Sequence, residues 1–300
     1  MSSKGRERPS AVVQGRVTPY LYLLPALVVY GTFLLFPVFR TAQFSTFEWS
    51  GFGPATFVGL RNYLDLAGDS RFLAALGHAF TLIIFYSLLP LALGLILAAI
   101  LRRGQVKGMG VFRVLIFMPQ VIALVVVAVA WRQIYTPNGT LNQMLGLVGI
   151  HSDTGWLGEP SLALFAVGVI GFWLETGLVM LLLLAGMNRI PNELYEASRL
   201  DGAGPVSEFF GVTLPAVRGE ITTALVLTII AALKTFDLVY MTTGGGPGSA
   251  TTVPSYEVYN RAFQLKEVGS ASAVAIVLTV LVFTINVVVS RIGEEKRLVR

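Results

Sequence analysis

The chain has 300 residues, of which 54% are hydrophobic and only 13% charged, with a net charge of +5 and no cysteine. A soluble domain carries about 25% charged residues, so this composition excludes one, and the absence of cysteine excludes a disulfide framework and thiol chemistry. The positive charge does not point to nucleic acid, because the basic residues flank apolar runs and form no single patch.

In chain order, residues 1–19 form a basic tail with Lys4, Arg6, Arg8 and Arg16. The first apolar run, residues 20–39, is too long for a signal-peptide core, and no small-residue cleavage pattern follows it, so it reads as an uncleaved span. Residues 41–77 read as a mixed outer loop, with the stretch Val58-Gly59-Leu60-Arg61-Asn62-Tyr63 as a turn packed by aromatics. Further spans are expected at residues 79–101, 111–131 (with Pro119 inside), 161–187, 221–241 and 271–290. A short basic loop with Arg102, Arg103 and Lys107 follows the second span, and a polar, turn-rich loop follows the third. A charged tail, residues 291–300, closes the chain.

The loop over residues 188–219 is the most structured of the connections. Pro191 and Asn192 offer a helix start, and Glu193 and Glu196 suit the positive end of its dipole. Gly202, Gly204 and Pro205 break that helix, and a second short apolar helix follows, which Pro215 is expected to end. Counting Lys and Arg puts fifteen on the side of this loop and the two termini, and seven on the other. That asymmetry places the loop and both termini in the cytoplasm.

Charged groups in hydrocarbon usually face a cavity or a partner. Glu175, beside Trp173 in the fourth span, and Lys234, Thr235 and Asp237 in the fifth are therefore candidates for a polar translocation path, with Asn286 in the sixth. Lys234 and Asp237 are three residues apart and on one helix would pair. They read equally as path lining or as a structural ion pair. Residues 242–252, Gly-rich and Thr-rich, lack the Gly-Lys-Ser/Thr ending of a phosphate loop and read as a flexible turn. No ATPase signature is present, and His78 and His151 are too far apart in sequence to suggest a metal site.

Glu196-Ala197-Ser198, Gly202 after three more residues, and Leu214-Pro215 resemble the "EAA" loop of permease subunits of bacterial binding-protein-dependent ABC importers, with Ser198 where the pattern has alanine. The VGLRNY stretch and residues 242–263 resemble corresponding segments of the maltose- and glycerol-phosphate-type permeases, so the resemblance covers nearly the whole chain. It implies an all-α polytopic fold, the type I importer permease with six transmembrane helices and cytoplasmic coupling helices. It implies a sugar-importing permease rather than an enzyme, multi-pass in the inner membrane. The partners implied are a second, homologous permease, two ABC ATPase subunits that carry ATP and Mg, and an extracytoplasmic binding protein; no cofactor sits in this chain. Glu196, Ala197, Ser198, Asp201, Gly202, Ala203, Leu214 and Pro215 would form the ATPase-coupling loop. The rival reading is a stand-alone secondary transporter using Glu175, Lys234 and Asp237 for proton coupling.

Overall fold

The computed structural model describes residues 18–103 and 108–295. The N-terminal tail through residue 17, most of the basic loop after the second span and the last five residues lie outside the described residues.

Among the described residues the regular structure is helical apart from one hairpin. Helix α1 (Thr18–Tyr30) runs through a π-helical turn (Gly31–Leu35) into α2 (Phe36–Phe44). The hairpin β1 (Phe47–Glu48) and β2 (Thr56–Phe57) precedes α3 (Arg61–Gly68) and α4 (Ser70–Ile83), and a π turn (Ile84–Leu88) carries α4 into α5 (Leu89–Arg103). Then come α6 (Met109–Val121), α7 (Leu124–Ile134), α8 (Thr140–Leu147) and α9 (Pro160–Met187). The connecting loop holds α10 (Asn192–Leu200), α11 (Pro205–Glu208) and α12 (Leu214–Ala216), with a π turn (Phe209–Thr213) between the last two. Helices α13 (Arg218–Leu233), α14 (Asp237–Thr242), α15 (Pro254–Tyr259) and α16 (Val268–Glu295) complete the chain, a π turn (Asn260–Gln264) following α15.

Helix α9 is the axis of the bundle. Its sequence is apolar all round, which suits a helix buried on all sides, and it packs against α5, α6, α13 and the π turn at Ile84–Leu88. Close packing needs small residues. A Cβ on Gly171 would lie 1.9 Å from Tyr86 Cε2, and one on Gly177 would lie 2.4 Å from the Ile116 carbonyl oxygen. The first span is the opposite case. No side chain of Tyr22–Phe44 is buried, and α2 meets the bundle along α16.

Four of the expected spans are single continuous helices, and the fourth has nearly the bounds read from the sequence. The second begins well before residue 79. Asp69 accepts hydrogen bonds from the backbone N–H of Arg71 (2.8 Å) and Phe72 (3.3 Å) and so starts the helix at Ser70. The third is not one rod. Helices α6 and α7 meet at 98°, because Ile122 and Ala123 are extended just after Pro119. The fifth stops early, at Leu233, and resumes as α14.

The loops after the first and fifth spans are more ordered than their composition suggested. In the hairpin Phe47 pairs with Phe57, and their rings meet edge to face at 5.4 Å. Within VGLRNY the polar residues do the holding: Asn62 Nδ2 donates to the carbonyls of Ser45 (2.8 Å) and Phe47 (3.0 Å), and Tyr63 Oη lies 2.6 Å from Ser45 Oγ. The Gly/Thr-rich turn is likewise tied down, correcting its reading as a flexible turn. Thr251 Oγ1 donates to the Gly246 carbonyl (2.8 Å), Thr252 Oγ1 to that of Gly245 (3.1 Å), and both threonines are buried.

Candidate functional site

Two regions hold the residues singled out from the sequence. The first is a cavity of about 310 Å³ lined by Tyr86, Glu175, Lys234, Thr235, Phe236 and Asp237, among others. The break between α13 and α14 builds it. Lys234, Thr235 and Phe236 leave the helix, and irregular backbone at this depth is tolerated where it lines a cavity and its polar groups are satisfied. Here Ser255 Oγ donates to the freed Thr235 carbonyl, and Tyr86 Oη lies 3.3 Å from Thr235 Oγ1. Glu175 is 8% exposed and reaches the cavity from α9.

The structure thus brings Glu175, Lys234, Thr235 and Asp237 together. It does not bring Trp173, which packs edge to face on Trp131 at 5.6 Å, or Asn286, whose Nδ2 donates back to the Val282 carbonyl on α16 (2.8 Å). The expected pairing of Lys234 with Asp237 needs a correction. The helix is broken between them, both side chains are exposed, and among the described residues no ion pair joins them. Each is solvated by the cavity, so Lys234→Ala or Asp237→Ala should each change thermal stability by no more than about 1 kcal/mol. A melting comparison of the purified variants checks this; a loss as large as that of a broken buried pair would restore the pairing. Tyr86 and Phe236 also line the cavity, and little in the sequence marks them for it. The only available signal was that Tyr86 and Ser87 interrupt an otherwise apolar run with hydroxyls.

The second region is an elbow formed by α10, α11 and α12. Pro191 stands at the start of α10, and Tyr195 is its one buried residue. The helix ends at Asp201, where Gly202 takes φ +82°. The Gly202 N–H donates to the Arg199 carbonyl and the Ala203 N–H to that of Ser198, both at 3.0 Å, so the last carbonyls are satisfied by a left-handed glycine cap. Gly204 is extended, and Pro205 opens α11 in the first-turn position that costs no hydrogen bond. Arg199 Nε donates to Glu208 Oε1 at 2.6 Å and joins the two arms. Pro215 does not end the second arm, as expected from sequence; it lies inside α12, and the chain turns by 69° into α13 at Val217.

The outward surface of the elbow carries Glu196, Ala197, Asp201 and Gly202 exposed, with Ser198, Ala203, Leu214 and Pro215 half-buried. Leu200 is 89% exposed and Val206 71%, which is unusual for apolar side chains in a loop this ordered. Behind α10 runs a groove of about 1160 Å³ whose lining includes Arg102, Arg189, Asn192, Tyr195, Glu196 and Arg199. The role of Arg102 in this groove was not legible, since it read only as part of a basic loop.

Residues 91–294 match the family model described as "Binding-protein-dependent transport system inner membrane component". A probable ABC transporter permease, YurN of Bacillus subtilis, is 39% identical over 282 residues, covering 92% of this chain and 95% of that one. The trehalose/maltose transport system permease MalF of Thermococcus litoralis is 36% identical over 284 residues, covering 93% and 94%. A crystal structure of a bacterial alginate ABC transporter, in complex with its pentasaccharide-bound periplasmic protein, superposes with a TM-score of 0.81 over 94% of this chain and 97% of that one, at 21% identity, and so shares its fold. The helical, polytopic permease fold expected from the sequence is therefore the fold found, and this chain belongs to the family of binding-protein-dependent transport system inner membrane components, the permeases of ABC importers.

Proposed function

We propose that this chain is the permease subunit of an ATP-driven sugar importer. It forms a translocation path with a second permease, and an ATPase docks on the elbow. The observation that carries the reading is the elbow itself: a small-residue face, the exposed Ala197 and the half-buried Ser198, next to a glycine-capped reversal and the exposed Leu200. A secondary transporter has no use for such a projection. Two ATPase subunits, holding ATP and Mg, would close and reopen against the elbows of the two permeases, and the bundles would rock in alternating access. An extracytoplasmic binding protein would deliver the sugar to the outer loops. The elbow and both termini lie in the cytoplasm in this arrangement. The cavity at Glu175 and Asp237 would hold the sugar hydroxyls in passage, with Tyr86 and Phe236 as its aromatic walls. Trehalose/maltose in one relative and diacetylchitobiose in another make a di- or oligosaccharide the substrate class to try first.

Affinity capture of the tagged permease, expressed with the genes beside its own, tests the reading. An ATPase chain and a second permease are expected in the captured complex, and sugar uptake should require ATP. Uptake by this chain alone, collapsed by a protonophore and indifferent to ATP, would establish the proton-coupled alternative.

A further inference from the structure

Helix α10 is joined to α9 through the turn at Asn188–Pro191, and a turn is a hinge. If the elbow swung freely there, a push on it would be absorbed before reaching the bundle. Beyond a largely exposed Arg189–Glu220 pair at 3.8 Å, the hinge is tied from outside the loop by Arg102, near the end of α5. Its Nη2 donates to the Ile190 carbonyl at 3.1 Å, with Asn192 Oδ1 at 3.5 Å, and its guanidinium carbon lies 4.0 Å from the centre of the Tyr195 ring. Tyr195 is in turn held on its far side, with Oη 2.8 Å from Thr213 Oγ1 in the second arm. Ala98, Leu101, Met187, Ile190, Tyr195 and Val217 belong to one packed core, so the ends of α5 and α9, the elbow and the start of α13 make one body.

We propose that Arg102 is a positioning residue for energy coupling: it locks the elbow to α5 so that elbow movement reaches the cavity without slack. The inference rests on the importer reading above. The mechanical connection is direct, because α5 continues through the π turn that bears Tyr86, and α9 bears Glu175. The arginine is chosen for its shape. A planar guanidinium stacks on an aromatic face and donates in its plane at the same time, which an ammonium group does not do. Arg102 itself lies on α5 and not on the outward face of α10, so removing it takes no side chain from that face.

The test uses the whole importer in proteoliposomes, with Arg102→Ala, Arg102→Lys, Tyr195→Leu and the double variant Arg102→Ala/Tyr195→Leu. Membrane abundance, ATPase capture and the ratio of sugar imported to ATP hydrolysed are read for each. Arg102→Ala should keep ATPase capture and lose about tenfold in that ratio, within the range of coupling free energies between sites. Arg102→Lys should recover only part of it, and the double variant should be no worse than the worse single one, as for two members of one clamp. An unchanged ratio in Arg102→Ala overturns the proposal. So does loss of ATPase capture in that variant, which would make Arg102 part of the docking surface. If Arg102→Ala fails to accumulate, Arg102→Lys and Tyr195→Leu decide, and parental ratios in both overturn it. Failure of the parent itself to capture an ATPase would instead sink the importer reading, a distinct result.

Discussion

Arg261→Ala is expected to be the most destabilising single change at the end of the molecule that holds the hairpin and α15. Arg261 is buried between two carboxylates. Its Nη2 bonds Asp69 Oδ2, its Nε lies 3.1 Å from Glu257 Oε2, and its Nη1 donates to Ser270 Oγ at 2.8 Å. The Glu257 side chain is 1% exposed and has one other cation nearby, Arg71, 3.0 Å away. Burying charges is costly, but removing one partner is worse, since the rest remain buried without compensation. The expected loss is about 3 kcal/mol, a melting temperature lower by roughly 5 °C for a chain of this size. Melting of the purified permease in detergent measures it. Arg61→Ala, at a pair with Asp65 that is about 70% exposed on both sides, is the control and should change little.

The same cluster sets a pH dependence. Burial alone would raise the pKa of Asp69. The hydrogen bond from Arg261 and those from the Phe72 and Arg71 amides outweigh it, and the carboxyl is held below its ordinary value. A depressed carboxylate stabilises the fold above its unfolded pKa, and that contribution is lost as pH falls through the folded value. Stability of the parent should therefore drop below about pH 4, and Arg261→Ala should flatten that part of the profile.

The second large effect is expected at Gly202. Its φ of +82° is open to glycine at no cost, strained for alanine and closed to proline, whose ring fixes φ near −65°. Proline would also remove the N–H that caps the Arg199 carbonyl. Gly202→Ala should cost about 1 kcal/mol locally and lower uptake modestly. Gly202→Pro should redirect the second arm, leave the spans inserted, and abolish ATPase capture and uptake together. Normal capture by Gly202→Pro would mean that the angle of the elbow is irrelevant to docking.

What the sequence made legible follows from what hydropathy and turn chemistry encode. Helix α9 was legible because it is apolar all round and bounded by Pro160 and Asn188. The elbow was legible because Pro191, Gly202 and Pro205 each have one strong conformational meaning. The bend after α6 and the break at Lys234 were not, since apolarity measures burial and says nothing of backbone direction. Pro119 was the visible warning in the first case, and in the second the break depends on Ser255 and Tyr86 reaching Thr235 from distant elements. The same break dissolved the expected Lys234–Asp237 pair and turned its two members into cavity walls. The Asp69–Arg261 link spans 192 positions, and no local pattern announces a contact of that kind.

An ATPase seated on the elbow, as proposed, would cover Leu200. The chain has no cysteine, so Leu200→Cys places a unique thiol of this subunit on the most exposed apolar residue of α10. The decisive measurement is its labelling by a membrane-impermeant maleimide, with and without bound ATPase. Labelling is expected only from the cytoplasmic side, rapid in the permease stripped of ATPase and blocked in the assembled importer. Equal labelling in both states, or labelling from the outer side, would contradict the proposed seating.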